Sequence, residues 1–238
     1  MRISTRIARF RLDRVVIGVM LVAAILLAAR AWLHDHPQHN PWAPLNLADP
    51  PGWATQAKLS KLREDAAECR AVLDRSAVAF TALEPLDEGQ CPRPDRLTLD
   101  KLPLASRAEM TCALGAGLVL WERRLQPLAE AMLRSRIARI EHFGTYSCRR
   151  VYGRSTGDWS EHSTGNAIDV AAFVLENGER LAVVSGWQGE GEEAAFLQRA
   201  RDEACAIFGT VLSPDYNAAH ADHLHLDQAA RGWGGYCR

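Results

Sequence analysis

Residues 160–173 read SEHSTGNAIDVAAF, and residues 220–227 read HADHLHLD. The first stretch places His162 seven residues before Asp169, and Gly165 and Asn166 between them permit a tight turn. After the turn, residues 167–173 are apolar except for Asp169, which predicts a short buried strand. A histidine on a loop and a carboxylate on the following strand can therefore converge on one point.

The second stretch has the alternation of a strand. Because side chains of a strand point to opposite faces with a period of two, His223, His225 and Asp227 should share one face. Asp222 should lie on the other face, so it would need a bulge or a strand end to join them. One histidine can serve as a metal ligand and the other as a general base, and the alternation favours His223 over Asp222 as that base.

Neutral imidazoles and a carboxylate are the ligands that zinc takes in catalytic sites, where one coordination position stays open to water. Either stretch alone has a plainer explanation, as a hydrogen-bonded His–Asp pair or as strand histidines. Together they predict a zinc cofactor and a hydrolase. The remaining histidines carry no comparable pattern and are expected to be solvated or structural: His34, His36, His39 and His142.

The spacing in the first stretch resembles the motif of the LAS zinc metallopeptidases, which include D-Ala-D-Ala dipeptidases and carboxypeptidases and the penicillin-insensitive murein endopeptidases. The matching positions are Ser160, His162, Gly165, Ala167 and Asp169, followed by a downstream His-x-His. His220, His223 and His225 match the murein endopeptidase version of the second block. Asp222 occupies the acidic position of the dipeptidase version, so both kinds of base are present.

Over residues 65–238 the chain resembles the bacterial extensin-like C-terminal domain family, which belongs with the LAS group by its motifs. The segments that carry this resemblance are CR at 148–149, SEH at 160–162, NAID at 166–169, FGTVL at 208–212, YNAAH at 216–220 and DHLHLD at 222–227. The resemblance implies zinc ligands at His162, Asp169 and His225 and a base at His223. Arg149 and Arg154 are candidates to stabilise an oxyanion or to hold a substrate carboxylate, and a surface role for each is equally consistent.

The N-terminus has the pattern of a membrane anchor. Five arginines, the last of them Arg14, precede the apolar run of residues 15–29, and Trp32 follows it. Residues 1–33 are therefore predicted to be a cytoplasmic stub and a single inner-membrane helix, with residues 15–33 in the membrane and the rest of the chain in the periplasm. A cleaved signal peptide ending near residues 29–31 is the alternative.

Composition limits the class of protein. The chain has 238 residues, a net charge of −1 and no basic face after residue 33, which argues against nucleic acid as a partner. All six cysteines lie in the part that would be exported, so disulfides are expected. Of the possible pairings we favour Cys205 with Cys237, which would brace the helix before the second histidine stretch. The oligomeric state is left open.

The pattern of elements predicts an α+β fold, with a small antiparallel sheet that carries the zinc site, helices flanking it and the N-terminal transmembrane helix. Residues 34–56 are predicted to be an extended linker, and residues 57–238 the metallopeptidase domain. The expected helices are 59–73, 110–128 and 192–208, and the expected strands are 137–143, 167–173, 180–184 and the segment with His223 and His225.

The expected activity is a zinc-dependent peptidase that acts on peptidoglycan stem peptides or cross-links, with an endopeptidase favoured. This expectation rests on the resemblance and on the predicted export, since no residue is assigned to the substrate. Two alternatives remain. One is a D-Ala-D-Ala-type carboxypeptidase, for which Arg154 would hold the free carboxylate, and the other is a catalytically idle zinc-containing module that binds the cell wall.

Overall fold

The computed structural model describes residues 4–87, 89–231 and 235–238, and for residues 4–12 only the backbone. Helix α1 spans Ser4–Asp35. Its segment Asp13–Asp35 is 23 residues long and apolar enough to cross a membrane, and the most apolar part of it contains no buried residue. Of the arginines that were predicted to set the topology, Arg2 lies outside the described residues.

The segment predicted as an extended linker packs onto the domain instead. Leu45 and Leu47 are buried and belong to the hydrophobic core, and the Leu47 N–H donates to Ser76 Oγ at 3.0 Å. Lys58 Nζ donates to the Pro37 carbonyl at 2.7 Å. The prolines of this segment predicted an extended chain, but its two leucines gain more by entering the core than by staying in water.

Two short helices, α2 (Thr55–Lys61) and α3 (Ala66–Arg75), replace the single helix predicted over 59–73. The break occurs because the Asp65 side chain caps α3, where it accepts from the Glu68 N–H at 2.9 Å. The central helix α4 (Cys112–Leu133), predicted over 110–128, begins at the Thr111 cap and buries Leu114, Leu118, Trp121 and Leu125 along one face. Helix α6 (Glu192–Cys205) ends three residues before the predicted end at Phe208.

Strands β1 (Phe80–Leu83) and β2 (Arg96–Leu99) form a separate antiparallel pair. The main sheet has six strands in the described chain, in the order β3-β4-β7-β6-β8, with β5 also paired to β4. These strands are β3 (Ile137–His142), β4 (Ala167–Leu175), β5 (Arg180–Ala182), β6 (Thr210–Leu212), β7 (Leu224–Asp227) and β8 (Tyr236–Cys237). The pairings are antiparallel except for β6 with β8, which is parallel, so the expected antiparallel sheet is wrong at its C-terminal edge.

The predicted strand over 180–184 is shorter than expected, because α5 (Val183–Gly186) begins directly after β5. Phe173 of β4 joins the sheet to the helices, since its ring lies 5.7 Å from that of Trp121 in α4 and 5.5 Å from that of Phe196 in α6. The β4–β7 register places Asp169 directly opposite His225. The α+β fold is thus confirmed, and its two central strands bring the two histidine stretches together.

All six cysteines are paired, as Cys69–Cys112, Cys91–Cys148 and Cys205–Cys237. The predicted Cys205–Cys237 bridge is confirmed and ties the end of α6 to the last strand. The Cys91–Cys148 bridge fixes the loop that precedes the first histidine stretch, immediately before Arg149.

Candidate metal centre

The three predicted ligands meet at one point. His162, Asp169 and His225 each offer an atom, and these atoms lie within 4.8 Å of one another. Asp169 Oδ1 is 3.2 Å from His162 Nε2 and 2.8 Å from His225 Nδ1, and the two nitrogens are 3.3 Å apart. The structure therefore brings together a group of side chains that could hold a metal ion.

Local structure explains how His162 reaches this point. It lies in a one-turn 3₁₀ helix, Glu161–Thr164, in which Ser160 Oγ accepts from the backbone N–H of His162. Gly165 ends the turn with φ 73°, in the left-handed region that glycine adopts without strain. The chain then enters β4, as the sequence predicted, and Asp169 follows on that strand.

Hydrogen bonds on the outer side of both imidazoles fix their tautomers. His162 Nδ1 is 3.2 Å from the Thr145 carbonyl, and His225 Nε2 is 3.0 Å from Asp227 Oδ2. A carbonyl oxygen and a carboxylate accept only, so these two nitrogens carry the hydrogens. In the neutral form of each ring, the lone pairs of His162 Nε2 and His225 Nδ1 then face the Asp169 carboxylate, whereas a ring that gains a proton donates to that carboxylate instead.

Three acceptors that converge in this way repel one another unless a cation or a proton lies between them. Two imidazole nitrogens and one carboxylate oxygen are the donor set of catalytic zinc, and outer partners that orient metal-bound histidines are usual at such sites. The residues present therefore fit zinc.

The electrostatics of the metal-free chain agree with this arrangement. Burial works to raise the pKa of the Asp169 carboxyl, but hydrogen bonds from His162 and His225 outweigh it and hold that pKa well below its ordinary range. Burial works to lower the pKa of His225, whereas its hydrogen bonds to Asp169 and Asp227 raise it to about 9. Without a metal, a proton on His225 supplies the positive charge that the cluster needs.

His223 lies beside this cluster, immediately before β7 rather than within it. Its Nδ1 donates to Asp222 Oδ1 at 2.8 Å, and its Nε2 is 3.4 Å from Asp169 Oδ1. His223 lines the adjoining cavity, whereas the half-exposed Asp222 does not. Both residues precede β7, so the predicted strand alternation does not apply to them, and Asp222 contacts the His223 ring while it stays outside the cavity lining.

The cavity in front of the cluster has a volume of about 550 Å³ and is lined by all three candidate ligands. Of the two candidate arginines, only Arg149 lines it. Arg154 lies outside the lining and stacks over the Tyr152 ring at 5.6 Å. The rim carries aromatic side chains from separate parts of the chain, namely Tyr152, Trp159, Tyr216 and Tyr236. Their sequence positions gave no indication that they would meet.

His220 is a further member of the site that the sequence analysis noted without assigning a role. It lines the cavity, and its Nδ1 donates to Asn217 Oδ1 at 2.8 Å. Burial, together with the nearby His223 and His225, lowers the pKa of His220 to about 4, so this ring is neutral near pH 7. The spacing His-x-x-His-x-His was the signal that pointed to it.

Residues 67–238 match the family model described as extensin-like protein C-terminus, a range that includes both histidine stretches. A comparison with curated proteins finds no match, and neither does a comparison with solved structures.

Proposed function

The chain belongs to the family of extensin-like protein C-termini, and we propose that it is a zinc-dependent peptidase acting on peptidoglycan stem peptides or cross-links in the periplasm. The observation that carries this proposal is the convergence of His162, Asp169 and His225, with both imidazoles turned inward, beside a fourth imidazole that faces a cavity. The resemblance of the two histidine stretches to the LAS zinc metallopeptidases favours a peptide bond as the target.

His162, Asp169 and His225 would hold the zinc. When bound, zinc supplies a water acidified to roughly pKa 7 and a Lewis acid for the carbonyl oxygen. His223 Nε2 takes a proton from the water that attacks the carbonyl carbon. It then returns that proton to the amine nitrogen as the carbon–nitrogen bond breaks. Asp222 accepts from Nδ1 at 2.8 Å, so it keeps the Nε2 lone pair turned to the cavity and stabilises the charged ring.

Arg149 is the arginine suited to the substrate. It lines the cavity, and its side chain makes no hydrogen bond or ion pair with other described residues. A guanidinium there can stabilise negative charge on the carbonyl oxygen or hold a terminal carboxylate of the substrate. The second role is that of a D-Ala-D-Ala-type carboxypeptidase, which is our second candidate function and would use Arg149 in place of Arg154.

The proposed location is the periplasmic side of the inner membrane, with the N-terminus in the cytoplasm. Three disulfides that pair all six cysteines favour an oxidising compartment. Helix α1 is long and apolar enough for a single membrane span. Peptidoglycan would be accessible to a domain exported in this way.

Purified protein loaded with zinc and incubated with intact wall sacculi and with free stem peptides tests the proposal. Loss of cross-links from the sacculi would indicate an endopeptidase, loss of one D-Ala a carboxypeptidase, and binding without product an idle wall-binding module. His223→Ala is the matched control, because it should keep the zinc ligands and lose turnover. No product from zinc-loaded wild-type protein on either substrate would refute a peptidase.

A further inference from the structure

Three exposed tryptophans surround the junction between α1 and the domain. Trp42 is 83% exposed, Trp53 is 51% exposed and Trp32 is 46% exposed. Such exposure is unusual for so large an apolar ring, and it recurs here within 22 residues of sequence, in the last turn of an apolar helix and in the segment after it. We call residues 32–53 the collar.

The collar connects the end of α1 to the domain through stacked rings. The Trp32 ring lies 4.5 Å from the His36 ring and 5.3 Å from the His39 ring, and His39 lies 6.0 Å from the Trp53 ring. The backbone N–H of Trp53 also donates to His39 Nδ1 at 3.3 Å. Because Leu47 of the same segment is in the core, the collar belongs to the domain rather than to a free linker.

We propose that the collar lies in the headgroup region of a phospholipid bilayer and holds the domain against the membrane surface. Tryptophan favours this region because its ring is apolar and its indole N–H still finds a polar partner. The collar begins in the last turn of the candidate span Asp13–Asp35, so a bilayer that encloses this span would place its outer interface at the collar. The proposal rests on the membrane anchoring in the proposed function. It adds how far the candidate metal centre lies from the membrane surface.

That position is close to the membrane. The collar ends at Trp53, helix α2 follows, and Arg63 just beyond α2 lines the cavity and pairs with Glu161 at 3.1 Å. The seven residues of α2 at about 1.5 Å each and the three other residues at up to about 3.5 Å each separate the collar from this cavity wall by roughly 21 Å at most. The site would therefore reach peptide bonds near the membrane surface rather than bonds deep in the wall.

Fluorescence quenching of the full chain in phosphatidylcholine vesicles tests the collar. Vesicles whose acyl chains carry bromine near the headgroup should quench the emission that Trp42 contributes, obtained as the difference between wild type and Trp42→Phe. Aqueous iodide should quench that emission weakly. Trp159→Phe is the matched control, because Trp159 is also exposed, at 37%, but lies at the cavity rim. Its emission should respond to iodide and not to the brominated lipid.

If Trp42 responds as Trp159 does, the collar does not lie in the interface and the proposal is overturned. If an alkaline wash removes the whole chain from the vesicles, the membrane anchoring fails and the collar proposal fails with it. Zinc content and sacculus hydrolysis, measured on the same preparation, report on the peptidase separately. The three measurements thus distinguish a wrong collar proposal from a wrong membrane anchor and from a wrong peptidase assignment.

Discussion

Replacing Asp227 with asparagine should weaken zinc binding although Asp227 is not a proposed ligand. Its Oδ2 accepts from His225 Nε2 at 3.0 Å and its Oδ1 accepts from the Ala229 N–H at 2.8 Å. Both oxygens are therefore in use, and the side chain is 4% exposed, so water cannot readily replace either bond. Asparagine has one oxygen and one NH₂ group in their place.

Both orientations of the new amide are unfavourable. If its oxygen keeps the bond to Ala229, the NH₂ group faces His225 Nε2 and favours the tautomer with hydrogen on Nδ1, the nitrogen that should bind zinc. If the amide is reversed, its NH₂ group opposes the Ala229 N–H. Loss of an outer partner of a metal-bound histidine typically costs about 10–100-fold in metal affinity, or about 1.4–2.8 kcal/mol.

The measurement is the zinc dissociation constant at pH 7, by competition with a chromophoric chelator. Asp222→Asn is the matched control, because it removes a carboxylate bonded to His223 and leaves the hydrogen bonds of all three proposed ligands intact. Its affinity should stay within about twofold of wild type, well below the change expected for Asp227→Asn. Equal zinc affinity for wild type and folded Asp227→Asn would refute the role assigned to the outer hydrogen bond.

Three further outcomes are expected. His223→Ala should retain zinc and lose about 10²–10⁴-fold in turnover on stem peptides, and Asp222→Ala should lose less; the reverse order would exchange their roles. In the metal-free protein, the pKa of His225 is raised from 6.5 to about 9. Its contribution to stability is therefore complete below pH 6.5 and lost as the pH rises through 9, so the melting temperature should fall over this interval, and fall less with zinc bound. Replacing Cys205 and Cys237 together by serine should lower the free energy of unfolding by about 3–4 kcal/mol in urea titrations, since their bridge closes a loop with sequence separation 32; an unchanged value would contradict a structural role.

Local sequence was sufficient for those parts of the site that depend on neighbouring residues. The turn at Gly165 and the strand that carries Asp169 follow from glycine's backbone freedom and from an apolar run. Helix α4 was also predictable, because helical periodicity is a local property. The prediction of one continuous helix over 59–73 was wrong, because the apolar spacing continues across Asp65, whose side chain caps a new helix.

Only the tertiary structure decided which distant groups share the site. Asp169 meets His225, 56 residues away, through the register of β4 with β7. The Thr145 carbonyl fixes the tautomer of His162, and Arg149 reaches the cavity where Arg154 does not. Leu47 entered the core although its surroundings favoured an extended linker. Each of these contacts depends on the packing and pairing of segments that are far apart in the chain. Local sequence patterns therefore cannot predict them.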